Sequence, residues 1–256
     1  MKNFIIVGTQ RTGSSAIAEN LGLHSQITCG WEWTQKCARS HKLTIAKEAL
    51  QGDFSHLDAH DRSHMQKVFR KDADWLGFRR LFRSSDKWLL HPSFSPALFM
   101  DRLNDHLTWF SGAPDIHIIH VVRKNNIEWL KSKFLSGKTK SFVEKAYPED
   151  MKVDIPLREA QYRLRAKNWV DSRLSLIENT TPYIRVYYED FCANPDETMT
   201  RLFNFLSAPE LDIDQSQKRL FKQSTGDASQ YISNYAQLLE KLNKNNLLIS
   251  NCAEDK

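Results

Sequence analysis

The chain has 256 residues, 41% hydrophobic and 26% charged, which supports one apolar core and excludes a disordered or membrane-dissolved polymer. Its formal net charge of +5 suits an anionic ligand, but no Lys/Arg cluster accompanies it, which argues against nucleic acid. Four scattered cysteines (Cys29, Cys37, Cys192, Cys252) have neither metal-site nor disulfide-framework spacing, no apolar run reaches the length of a membrane span, and no signal peptide opens the chain, so a soluble cytoplasmic protein is expected.

The most informative stretch is FIIVGTQRTGSS, residues 4 to 15. Phe4 to Val7 read as a buried strand of a parallel sheet. Thr9 to Thr12 form a polar loop between Gly8 and Gly13, and Ser14 to Leu21 have helix-forming composition. A strand, a glycine-bounded loop and a helix start aim backbone N–H groups and the positive helix end at one point, where a phosphate or sulfate can sit. Gly8 to Ser15 matches the nucleotide pattern G-x-x-x-x-G-K-[ST] except at the lysine, which is Ser14. That lysine reaches the terminal phosphates of ATP or GTP; here a different cation, Arg11, lies inside the loop.

Next, His24 to Gln35 should supply a second strand with Ile27 inward and Glu32 emerging at the carboxyl edge, near the first loop. Residues 36 to 72 read as a variable, charged helical cover whose histidines (His41, His56, His60, His64) match no metal pattern. Trp75 to Arg79 and Lys87 to His91 read as strand pieces, and a helix is expected over Pro96 to Phe110, capped by Ser93 or Ser95. Ile116 to Val122 make another buried strand with Arg123 at its tip. In the helix starting near Asn125, Ile127, Leu130 and Phe134 face the core, while Ser132 lies opposite with Asn125 and Glu128. Read apart, Arg123 and Ser132 are ordinary surface residues; read together, they can grip one anion.

Residues 136 to 157, with Gly137, Lys138, Lys140, Pro148 and Pro156, read as a mobile loop or lid. A long amphipathic helix follows over Leu157 to Glu178, with Tyr162, Leu164, Trp169, Leu174 and Ile177 inward. Pro182 leads into a strand, Asn194 opens a helix at Pro195, and Lys218 to Leu242 put a basic, hydroxyl-rich loop before a helix. Residues 245 to 256 read as a frayed tail, and the whole of 1–256 as a single domain.

Together these blocks resemble the sulfotransferases that use 3′-phosphoadenosine 5′-phosphosulfate. FIIVGTQRTGSS is similar to the family's 5′-phosphosulfate loop, and VVRKNNIEWLKS to its 3′-phosphate motif. YIRVYYEDFCANPDETMTRLFNFL is similar to its strand, Tyr-Glu-Asp turn and helix. KQSTGDASQYISNYAQL resembles the C-terminal cofactor loop of the bacterial branch that includes nodulation-factor and trehalose-lipid sulfotransferases. Arg11 where animal members carry lysine, and the longer spacing from Arg123 to Ser132, select that branch. Animal members also have an RKG triplet near the position of Lys222, which this chain lacks.

The resemblance implies an α/β fold, a mainly parallel central sheet flanked by helices in the three-layer P-loop arrangement. It also implies two anion pockets a nucleotide's length apart across the sheet. The amides and hydroxyls of Arg11, Thr12, Gly13, Ser14 and Ser15 would hold the 5′-phosphosulfate, and Arg11 would neutralise the leaving oxygen. Arg123 and Ser132, helped by Lys222 or Thr225, would bind the 3′-phosphate, with Tyr188 beside the adenine. Adenosine 3′,5′-bisphosphate would be the product, and no metal is required. Glu32 is the first choice of general base and His91 its rival. Trp31, Trp33, Phe94 and Trp129 are candidates for an apolar acceptor wall or for plain core. The expected acceptor is a small molecule such as a secondary metabolite, and the expected state a monomer or homodimer without membrane or nucleic acid. The competing classes are a P-loop kinase and a non-catalytic nucleotide-binding module; a kinase calls for a lysine after Gly13 and a metal-holding acid at a strand end.

Overall fold

The computed structural model describes residues 2–32, 48–55, 62, 63, 65, 67, 69–82, 96–113, 115–139, 147, 148, 150–208 and 226–250, with the side chains of 30–32, 80–82 and 96–102 outside the description. Five strands, β1 (Lys2–Thr9), β2 (Ile27–Glu32), β3 (Trp75–Phe82), β4 (Ile116–Val122) and β5 (Tyr183–Tyr187), form one sheet in the order β2-β3-β1-β4-β5. Every pairing in it is parallel.

The sequence of β1 explains why it lies in the middle. Phe4, Ile5, Ile6 and Val7 are all buried, an unbroken apolar run that needs cover on both faces. Ile5 and Val7 face one layer with Phe78 and Ile118, built on helices α2 (Pro96–Ser111) and α4 (Leu157–Ser175). Phe4 and Ile6 face the other, where Ile17 and Leu21 of α1 (Ser14–Leu21) pack with Phe191 of α5 (Tyr188–Ala193) and Leu202 of α6 (Pro195–Phe205). Gly77 of β3 admits the Phe4 ring; a Cβ there would lie 2.1 Å from Phe4 Cζ.

A third apolar cluster gathers α3 (Asn126–Thr139), α7 (Ala228–Tyr231), α8 (Tyr235–Asn243) and residues 147–157. Here three expectations change. Gly137 and Lys138 continue α3, because the backbone hydrogen bonds persist to Thr139. Tyr147, Val153 and Ile155 are buried, and Val153 donates its N–H to Tyr231 O at 2.8 Å, so these residues of the expected lid pack on the body of the protein, while 140–146 and 149 lie outside the described residues. The C-terminal helix breaks at Ile232, which pairs with Val153, before resuming at Tyr235.

The tail is also packed as far as residue 250. Leu247 is buried, Asn126 N–H donates to Leu248 O at 3.1 Å, and Ser250 N–H donates to Lys124 O at 3.0 Å. Tyr162 is exposed at 42%, since its place on α4 points away from the apolar stripe carrying Leu164 and Leu174. Residues 87–91 and the capping serines lie outside the described residues, as do most of 36–72; the described parts at 48–50, 62, 63, 65 and 67 are helical.

Between β4 and α4 a charged network replaces apolar packing. Lys167 and Asp171 are both fully buried, 3.0 Å apart, and Asp171 faces His120 at 3.7 Å. Burial works to raise the Asp171 carboxyl, but Lys167 and His120 outweigh it and hold the group ionised below its ordinary range.

Candidate active site

The sheet turns from one winding direction to the other at β1, with β2 and β3 on one side and β4 and β5 on the other. Ligand crevices of open parallel sheets lie at the carboxyl ends of strands next to such a reversal. Gly8 is the partner of Val121 and Val122 of Tyr187, so β1, β4 and β5 end level with one another. The residues just beyond them, Arg11, Arg123 and Tyr188, therefore share one edge.

At β1 the backbone itself makes the site. Gly8 approaches β4 so closely that a Cβ would lie 2.5 Å from Val121 O. Arg11 has φ 67° and Gly13 φ 86°, left-handed conformations that reverse the chain. Gly13 caps α1 with no side-chain hydrogen bond, leaving the N–H groups of the first turn open for an anion. A Cβ on Gly13 would stand 2.1 Å from Tyr188 Cδ2, so the tyrosine ring lies against the loop.

Two loop hydroxyls are already engaged. Thr12 Oγ1 donates to Thr9 O at 2.9 Å in a fully buried position, bracing the loop. Ser15 Oγ accepts a bond from Arg79 Nη1 of β3. Ser14 is buried at the helix start, where a lysine would otherwise stand.

The strand-tip motif meets this loop directly. Arg11 Nε donates to Ser132 Oγ at 3.0 Å, and Arg123 Nη1 donates to Arg11 O at 3.2 Å. The two motifs are thus linked through Arg11, whose side chain reaches α3 and whose carbonyl receives Arg123. Arg123 is buried, lies 4.7 Å from the centre of the Tyr188 ring, and has a buried Nε without a hydrogen-bond partner among the described residues. A planar guanidinium with an unused donor fits an oxyanion better than any neutral group.

Electrostatics agree with an anion site. Burial draws the Arg11 guanidinium below its ordinary value, Tyr147 opposes that, and Arg123 adds to it. Arg11 Nη2 reaches Tyr147 Oη at 3.4 Å. Burial likewise pushes the Tyr147 and Tyr188 phenols up, so both stay neutral, with the cations nearby pulling the other way.

Glu32 ends β2 as the register partner of Arg79, which pairs in turn with Ile6 of β1; its side chain, His91, Lys222 and Thr225 lie outside the described residues. Trp31, Trp33 and Phe94 fall there too, Trp31 keeping only its backbone place in β2. Trp129 is core: it is fully buried and donates its indole N–H to Gln10 O at 2.6 Å, pinning the loop from α3.

Sequence reasoning missed several participants. Arg79 is buried at 3% midway along β3, and a charged residue inside an apolar strand was its only signal. Tyr147 was hidden in a segment without periodicity. Asn125-x-x-Glu128 carries the helix-start signature that could have singled out Glu128. Among the described residues no group of His, Cys, Asp and Glu could hold a metal, and no helix is long and apolar enough to cross a membrane.

The model of the sulfotransferase family matches residues 3–212. Among solved structures the chain is similar to the sulfotransferase domain of the Synechococcus PCC 7002 olefin synthase, at 16% identity and a TM-score of 0.46, over 93% of this chain and 84% of that one. It is similar also to the sulfotransferase domain of the curacin biosynthetic pathway, at 14% identity and a TM-score of 0.44, over 95% and 90% of the two chains. A sulfotransferase from Alicyclobacillus acidocaldarius matches at 15% identity and a TM-score of 0.43, over 85% and 88%. No curated protein matches the sequence.

Proposed function

We propose a reaction from one premise: the chain belongs to the sulfotransferase family. The reading is transfer of a sulfuryl group from 3′-phosphoadenosine 5′-phosphosulfate to a hydroxyl of a small-molecule acceptor. The observation that carries it is Arg123, a buried guanidinium whose Nε donor has no partner among the described residues, joined through Arg11 to a helix start without a side-chain cap. A cation beside a helix N-terminus suits a ligand with anionic groups at two places.

In this reading the donor supplies an activated sulfuryl group, and the chain positions it and stabilises charge. The first-turn N–H groups of α1 and Ser14 face the phosphosulfate. Arg123 and Ser132 take the 3′-phosphate, which displaces Ser132 from Arg11. Arg11 is then available to neutralise the bridging oxygen as its bond to sulfur breaks. Tyr188, between Gly13 and Arg123, offers a ring face to the adenine. Lys222 and Thr225, just before Gly226, complete the phosphate contacts.

The acceptor oxygen forms the new S–O bond and gives its proton to a base, for which Glu32 is the first choice. In support of this reading, Glu32 is the last residue of β2 and the register partner of Arg79, the arginine that holds Ser15. His91 is the second candidate. An acceptor from secondary metabolism and the nodulation-factor and trehalose-lipid branch belong to the same proposal.

Calorimetry separates this from the kinase reading: the protein is expected to bind adenosine 3′,5′-bisphosphate without magnesium and to ignore ATP with magnesium. Binding of ATP alone overturns the proposal. With a labelled sulfate donor and an acceptor screen, Glu32→Gln or His91→Ala should lower turnover by about two orders of magnitude with cofactor affinity kept. Near-normal turnover in both removes the assignment of the base.

A further inference from the structure

The helix that carries Ser132 also carries an ion pair that its surface-like spacing conceals. Asn125 caps α3, accepting the N–H of Glu128 on its Oδ1 at 3.0 Å. In a reciprocal capping box the glutamate at this place would reach back to the N–H of the cap residue. Here that N–H is taken by another carboxylate, Glu189 Oε1, at 3.0 Å. Glu128 is released from capping and turns to two cations, Lys131 Nζ at 2.8 Å and Arg123 Nη2 at 3.4 Å.

Lys131 is fully buried, next in sequence to Ser132. Its ammonium also donates to Gly226 O at 3.0 Å and lies 5.3 Å from the centre of the Tyr231 ring. Burying an ionised Lys–Glu pair gains little stability over an apolar pair of the same volume. What the pair changes is the charge beside Arg123. Left without Lys131, the Glu128 carboxylate would cancel Arg123 and repel a phosphate arriving at Ser132; with Lys131, that carboxylate is shared between two cations, Arg123 and Lys131.

We propose that Lys131 is a positioning residue of the 3′-phosphate site, neutralising Glu128 so that Arg123 keeps its attraction for a phosphomonoester, and tying Gly226 to α3. This rests on the sulfotransferase reading of Arg123 and Ser132. Lys131 acts through Glu128 and does not touch the ligand itself.

The signature of such a role is charge-specific rescue. Titration calorimetry on the full chain would compare adenosine 3′,5′-bisphosphate with adenosine 5′-monophosphate, which lacks the 3′-phosphate. Lys131→Met should weaken the bisphosphate by roughly tenfold or more and the monophosphate by less than about threefold. Glu128→Gln in the Lys131→Met background should bring the bisphosphate back to within about threefold of the unmodified protein. Glu128→Gln alone should bind it at least as tightly as the unmodified protein, and this variant, which keeps the shape and one acceptor oxygen for Lys131, serves if Lys131→Met fails to fold. Unchanged binding in Lys131→Met, no rescue in the double variant, equal losses for both ligands, or weaker binding in Glu128→Gln would each overturn the proposal. If the unmodified protein binds the bisphosphate while the variants behave otherwise, this inference alone fails; if it does not bind, the sulfotransferase cofactor reading fails first.

Discussion

The turn after β1 and the turn after β4 have the same plan, a parallel strand running through a short loop into a helix, yet they treat the helix start in opposite ways. After β1 the cap is Gly13, no side chain closes α1, and the first-turn N–H groups stay open. After β4 the backbone is closed: Glu189 accepts the N–H groups of Lys124 and Asn125, Leu248 O accepts that of Asn126, and Asn125 accepts that of Glu128. In the proposed reading the first turn holds an anion with backbone and the second with the side chains of Arg123 and Ser132. On that reading the first site leans on its glycines and the second on its side chains.

The largest effect expected from this contrast is at Arg123. Removing a buried charged donor costs about 1.5–3 kcal/mol, so Arg123→Met should weaken adenosine 3′,5′-bisphosphate by up to about a hundredfold in calorimetry. Binding of adenosine 5′-monophosphate should change by less than about threefold, because the backbone site is untouched. Equal losses for the two ligands would erase the distinction between the turns. Next comes Gly13→Ala, where both the left-handed φ and the contact with Tyr188 oppose a Cβ. A loss of about 2 kcal/mol in denaturant unfolding is expected, with both ligands weakened together. A variant as stable as the parent would mean that the loop does not need its glycine.

The sequence made the first turn easier to read than the second, for a physical reason. Gly8, Arg11, Gly13 and Ser14 lie within one short loop, so their spacing alone carries the argument, and Arg123 and Ser132 share one strand and helix. What stayed hidden depends on which strands are neighbours. Arg79 reaches Ser15 because β3 lies against β1, and Glu189 reaches Lys124 because β5 lies against β4. Glu128 and Lys131 have the spacing of an exposed helical pair, and among the described residues α7 and Gly226 pack over the lysine. The tail looked loose for the same reason: Leu247, Leu248 and Ser250 are ordinary residues until the turn at Asn125 gives their backbone partners.

The finest test of the contrast is Glu189. Its carboxylate bonds Lys124 N–H at 2.9 Å and Asn125 N–H at 3.0 Å, holding the turn that carries Arg123 without facing the ligand site's guanidinium directly. Glu189→Ala leaves two amide donors to find other acceptors, and loss of a helix-start cap typically costs about 1 kcal/mol. Melting should therefore shift modestly downward, and bisphosphate affinity should fall by only about threefold, because the C-terminal segment still anchors Asn126 and Lys124. Glu189→Gln, which keeps one acceptor oxygen, should recover part of both losses. An Ala variant indistinguishable from the parent in melting and in affinity would show that water closes the second turn as well as the carboxylate does. The two turns would then differ only in their side chains.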